Sequence, residues 1–116
     1  MQKWLDAKRN KKNRNRGHGF ERKCAQDLKK IFPHVRRHLE YQKAHATGID
    51  LEETGPFKFQ CKKTKKYVSI NTIKEIQCDA MLGDIPVLIA ACDGEPTMAV
   101  LPWADLIALI SSSYRK

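Results

Sequence analysis

The sequence predicts an α/β domain in which a central sheet is covered by helices on both faces. Three observations carry that prediction. Residues 85–92, IPVLIAAC, form an uninterrupted apolar run between Asp84 and Asp93-Gly94, which is how a strand buried on both faces reads. Phe57, Phe59 and Cys61 alternate with Lys58, Gln60 and Lys62, the period of two of a strand with one covered face. Phe20, Cys24, Leu28 and Ile31/Phe32 recur at helical spacing, with Arg22, Lys23, Lys29 and Lys30 on the opposite side, which marks an amphipathic helix.

The elements follow in order. Residues 1–16 carry Lys3, Lys8, Arg9, Lys11, Lys12, Arg14 and Arg16 against Asp6 alone, a local charge of +6. With little apolar content, this segment reads as a basic flexible arm suited to phosphates. Residues 17–116 read as a single domain. Gly17-His18-Gly19 punctuates the chain before the first helix, which Pro33 stops. Residues 34–41, HVRRHLEY, read as a strand. Residues 49–62 read as a hairpin turning on Glu53-Thr54-Gly55-Pro56. Centred on Gly55, it would set Asp50 opposite Gln60 on one face, with Lys62 two residues along. After the cationic stretch Lys62 to Lys66, a helix is expected from Ser69 or Asn71, burying Ile70, Ile73, Ile76/Gln77 and Ala80/Met81, with Gly83 as its stop. The strand at 85–92 and a further strand at 97–101 follow. A last amphipathic helix begins after Pro102, with Trp103, Leu106, Ile107 and Ile110 along one stripe as core or as a dimer contact.

Size and charge exclude several classes. The chain has 116 residues, 41% of them hydrophobic, enough for one core and not two. Lys and Arg number 22 against 13 Asp and Glu, a formal net charge of +9, which favours a polyanionic partner. No apolar run approaches the ~20 residues of a membrane helix, and MQKWLDAKRN lacks the apolar stretch of a secretory signal. The expected location is therefore cytoplasmic, in a host cytoplasm if the gene is viral. Cys24, Cys61, Cys78 and Cys92 form no C-x-x-C pair, which argues against structural zinc and for reduced, core-filling thiols. His18, His34, His38 and His45 have no metal-ligand spacing and read as surface or DNA-facing residues.

One constellation carries chemistry. Asp50, Gln60 and Lys62 are expected on one sheet face, and Glu21, one turn into the first helix, is placed to reach the same spot. Two oxygen donors and a lysine at this spacing suit phosphodiester hydrolysis. The oxygens hold a hard divalent cation that polarises the phosphate and acidifies a water, and the lysine orients or deprotonates that water or neutralises developing charge.

These residues and the element order resemble the PD-(D/E)xK nucleases, and within them the archaeal-type Holliday-junction resolvases. The resemblance runs through Arg16-Gly17-His18-Gly19-Phe20-Glu21-Arg22, Gly48-Ile49-Asp50-Leu51, Phe57 to Lys62, Lys63 to Ile76 and Gly83-Asp84-Ile85-Pro86-Val87-Leu88, and so covers residues 14–110. It implies an αβββαβ restriction-endonuclease-like core, a central mixed sheet flanked by helices, and a single nuclease domain over 17–116. It implies Asp50 as principal metal ligand with Gln60, Glu21 as a metal or water-network carboxylate, and Lys62 as the catalytic lysine, with Mg²⁺ or Mn²⁺ as cofactor. Arg22, Arg36 and Arg37 match positions where cations contact the phosphate backbone. Thr47 and, less directly, His45 stand where the family has a hydroxyl residue before the aspartate. Arg14 and Arg16 in the arm and Lys63, Lys65 and Lys66 complete the expected DNA contacts.

The chain departs from the resolvases at Gln60, where they carry Glu. An amide oxygen can ligate Mg²⁺ but brings no charge, and Glu52, Glu40 and Glu75 are candidates for a compensating carboxylate. The expected function is a metal-dependent, structure-selective endonuclease that resolves four-way DNA junctions by paired symmetric nicks as a homodimer. A Mrr-like or general DNA endonuclease, in which Q-x-K is ordinary, is the first alternative. A non-catalytic branched-DNA-binding protein with a degenerate site is the second.

Overall fold

The computed structural model describes residues 18–38 and 48–114. The expected arm, with Arg14 and Arg16, lies outside them, as do Glu40, His45 and Thr47. Helix α1 (residues 18–28) buries Phe20 and Cys24. It unwinds in turns in which the N–H groups of Ile31 and Phe32 both bond the Leu28 carbonyl, so it ends short of Pro33, as the proline requires. Ile31 is exposed, while Phe32 turns inward to meet the Phe57 ring edge-on at 6.2 Å.

Strands β1 (Arg36–Arg37) and β2 (Leu51–Glu52) pair antiparallel as a short ribbon, Arg36 opposite Glu52. Strands β3 (Phe57–Thr64), β4 (Ile85–Cys92) and β5 (Met98–Val100) form a mixed sheet in that order. β4 runs parallel to β3 and antiparallel to β5. The apolar run at 85–92 is thus the central strand, as its sequence predicts. Leu88 on β4 and Leu51 on β2 are the largest fully buried side chains.

The register divides the sheet into two faces. Phe59, Cys61, Val87 and Ala91 join Phe20 and Cys24 of α1, Val35 and Leu51 in the main core. Gln60 and Leu88, side by side in the β3–β4 register, and Ala90 beyond them lie on the other face and are buried there.

The long helix expected between β3 and β4 is absent. Two 3-10 segments, Ile70–Glu75 and Ala80–Leu82, replace it. The reason is local. Ser69 accepts from the N–H of Asn71 and Asp79 from that of Met81, so two side-chain caps each start a separate turn. β-Branched Ile70, Thr72, Ile73 and Ile76 add little helical preference to oppose them. Ile76 is the buried anchor, whereas Ile70, Ala80 and Met81 are exposed against expectation. Gly83 ends the second segment at φ 81°, in the stop role its sequence predicts.

Helix α2 (Trp103–Tyr114) starts where Pro102 offers its carbonyl to Asp105 and Leu106. It has no buried residue. Trp103 is 72% exposed, and Ile107, Ile110 and Tyr114 are exposed with it. The stripe is therefore not core. Among the described residues no helix is long and apolar enough to cross a membrane.

All four cysteines are free thiols, but only Cys24 and Cys61 are buried; Cys78 is exposed and Cys92 half-buried. Hydrogen bonding to Cys24, together with burial and the nearby Asp50 and Glu21 carboxylates, pushes the Cys61 thiol up. Thiolate being the reactive form, a maleimide applied to native protein is expected to modify Cys78 first and Cys61 only after unfolding. Peptide mass spectrometry over a time course reads this directly, and equal rates at the two would show that α1 does not cover β3.

Candidate active site

Asp50 is placed by backbone bonds on both sides. Its N–H donates to the Phe59 carbonyl at 2.7 Å, and its own carbonyl accepts from the His38 N–H at 2.7 Å. Its Oδ2 accepts from the backbone N–H of Cys61, also at 2.7 Å. Residue 50 therefore lies beside residues 59 and 61 of β3, but the hairpin expected over 49–62 does not pair as a ladder. The carboxylate takes the place of a strand carbonyl at the edge of β3 that does not face β4. The β2 ladder itself runs to β1 and not to β3.

Gln60 is buried under the 3-10 segment. Its Nε2 donates to Glu75 Oε2 at 2.9 Å, while its Oε1 has no hydrogen-bond partner among the described residues. A buried carbonyl oxygen left unpaired costs about 1–3 kcal/mol, so this atom calls for a ligand. Glu75 is brought there by close backbone packing. Gly48, at φ 71°, lies so near the chain at Glu75 that a Cβ would sit 2.3 Å from the Glu75 carbonyl oxygen. Of the carboxylates that the sequence offers as compensation for Gln60, Glu52 and Glu75 lie among the described residues, and Glu75 is in contact with Gln60. Glu52 is engaged elsewhere, bonded to Arg36 Nε at 3.0 Å and to His38 Nδ1 at 2.7 Å.

Lys62 follows Gln60 by two residues, half-buried, with no ion-pair or hydrogen-bond partner among the described residues. Asp50 and Lys62 thus do not form the salt bridge that a merely structural role would give them. Glu21 is not delivered to Gln60. It sits on α1, which packs on the opposite face, and its Oε2 accepts from Arg37 Nε at 3.0 Å in a part-buried pair. Both Glu21 and Asp50 are close enough to the Cys61 thiol to favour its protonated form.

Of the expected DNA contacts, Arg22, Lys63, Lys65 and Lys66 are exposed. Arg36 and Arg37 are committed to ion pairs with Glu52 and Glu21. His38, expected at the surface, is buried against Glu52; its spacing from Val35 hid this, because β1 stops after two residues and the alternation breaks. A shallow cleft of about 420 Å³ opens between the start of α1 and the ends of β3 and β4, lined by Lys23, Lys63, Asp93 and Glu95 among others, and does not include Asp50, Gln60 or Lys62.

The donor set fits a hard cation. Asp50, Gln60 and Glu75 offer oxygen alone, the ligand class of Mg²⁺ and Mn²⁺. No three Asp, Glu, His or Cys side chains cluster as a ligand group among the described residues, so the amide oxygen of Gln60 is needed to make the third donor. Comparison with protein-family models, with curated proteins and with solved structures gives no match.

Proposed function

We propose that the protein is a metal-dependent DNA endonuclease with a restriction-endonuclease-like core, selective for branched DNA and acting on four-way junctions as a homodimer. One observation carries the reading: on β3, Lys62 has no partner among the described residues and follows Gln60, whose buried amide oxygen has none among them either, while Asp50 is pinned to the same strand at the adjacent N–H. Such a triad suits phosphodiester chemistry. A divalent cation held there would polarise the scissile phosphate and acidify a water. Asp50 and Gln60 are the residues that would hold it. Lys62 is free to orient the attacking water and to neutralise charge on the phosphate as it develops. Lys63, Lys65 and Lys66, exposed beside the site, extend the positive surface along the backbone of the DNA, a sequence-independent grip. The uncovered apolar stripe on α2, led by Trp103, supports the homodimer, whose two-fold axis would set two sites for paired nicks.

A synthetic four-way junction and its linear duplex, incubated with the protein in Mg²⁺, test the reading. Junction-selective paired nicks are expected, with Lys62→Ala lowering the rate on the order of 10²–10³-fold and binding weakening steeply with salt. Equal cutting of both substrates would favour a general endonuclease instead. The uncharged Gln60 and the Glu21–Arg37 pair favour the third reading, a branched-DNA-binding protein without chemistry. Tight junction binding with no turnover, unchanged by Lys62→Ala, would select it.

A further inference from the structure

We infer that Glu75 supplies the carboxylate that the strand lacks at Gln60, so that Asp50, Gln60 and Glu75 together form the divalent-cation site. This rests on the nuclease reading for its purpose but not for its test.

Three independent features converge on Glu75. Gln60 is 2% exposed, its Nε2 holds one Glu75 oxygen at 2.9 Å, and its Oε1 is left without a partner among the described residues. A glutamine serving only to tie two segments together would have both ends of its amide satisfied; one end left open in a buried place marks a position meant for another atom. Second, Glu75 ends the segment Ile70–Glu75, whose next residue, Ile76, is the buried anchor, so its backbone is held beside the sheet. Third, Gly48 lies in backbone contact with Glu75 and stands two residues before Asp50. The same close approach therefore fixes the segment bearing Asp50 and the segment bearing Glu75 against each other, with Gln60 bridging to the second and its neighbour Cys61 bonding the first.

Charge agrees with placement. A site of Asp50 and Gln60 alone brings one negative charge to a doubly charged cation, while Glu75 restores two. The amide then has a defined part: Nε2 orients the Glu75 carboxylate by one oxygen, and Oε1 and the second carboxylate oxygen are left for the ion. All donors are hard oxygens, which selects Mg²⁺ or Mn²⁺ over zinc.

Titration of the full chain with Mn²⁺ alone, without DNA, by isothermal calorimetry or by loss of the free-ion electron paramagnetic resonance signal, tests the assignment. Wild type is expected to bind, Glu75→Gln to bind at least tenfold more weakly, and Gln60→Glu more tightly than wild type. The double variant Gln60→Glu/Glu75→Gln, which moves the charge back to the strand, is expected to recover the affinity lost in Glu75→Gln. That recovery separates a ligand from a residue needed only for folding, and circular dichroism of each variant accompanies the titration. Mn²⁺ binding by Glu75→Gln equal to wild type overturns the assignment, as does a wild type that binds no Mn²⁺ at millimolar concentration. If Mn²⁺ binding depends on Glu75 and yet no DNA is cut, the nuclease reading fails while the cation site stands.

Discussion

Asp50→Asn is expected to abolish junction cleavage while leaving the fold in place, whereas Asp50→Ala loses both. The difference follows from what the carboxylate does. Its Oδ2 accepts the Cys61 N–H at 2.7 Å on the open edge of β3, and an asparagine oxygen can accept that same hydrogen. The amide carries no charge for a cation, so the proposed chemistry should fall on the order of 10³-fold or more, equivalent to about 4 kcal/mol of barrier. Alanine removes the acceptor altogether and strands the N–H of a buried residue, at about 1–3 kcal/mol. Urea unfolding of the two variants, set beside their cleavage rates in Mg²⁺, separates the roles. An active Asp50→Asn would remove residue 50 from the chemistry.

Gly48→Ala is expected to damage the site without touching any of its polar groups. At φ 71° an alanine is strained by about 1–2 kcal/mol, and its Cβ would fall 2.3 Å from the Glu75 carbonyl oxygen. The oxygen is backbone and the Cβ is fixed rigidly to its own, so neither can rotate aside. The contact must open, which pulls Glu75 away from Gln60 and the 48–50 segment away from β3. A loss of about 2–4 kcal/mol in urea unfolding is expected, combining the strain with the broken packing, together with weaker Mn²⁺ binding. Gly55, which also has positive φ at 60°, is the comparison: there a Cβ meets only a Phe32 side-chain carbon at 3.4 Å, so Gly55→Ala should cost stability and spare the ion.

How much of this was legible before the structure depended on whether a signal was local. The run 85–92 announced a central strand because its covering on two faces is written in eight consecutive side chains, and β4 matches it residue for residue. The stripe Phe20–Cys24 and the stops at Pro33 and Gly83 were local too, and each stands. The segment after Ser69 misled because its apolar spacing fits a helix, while the competing caps at Ser69 and Asp79 act through hydrogen bonds that spacing does not record. Trp103, Ile107 and Ile110 have the periodicity of a buried face, yet periodicity states only that a face is apolar and not what covers it. At the site, the turn at Gly55 brings Asp50 back beside β3, but the bond of its carboxylate to the Cys61 N–H, in place of a hairpin ladder, is a side-chain rotation that spacing does not record. Glu75 could be offered only as one of three carboxylates, because its contact with Gln60 depends on Gly48 passing close to the chain 27 residues on, a tertiary fact.

Residue 50 also ties together two parts of the molecule. The ribbon of β1 and β2 reaches the main sheet through hydrogen bonds that converge on it, from His38 on one side and to Phe59 and Cys61 on the other. It works as a rivet between two plates. A shift of the ribbon against the sheet therefore bears on residue 50. On the nuclease reading proposed above, DNA held at the ribbon would bear on the position of Asp50, coupling grip to the geometry of the cut.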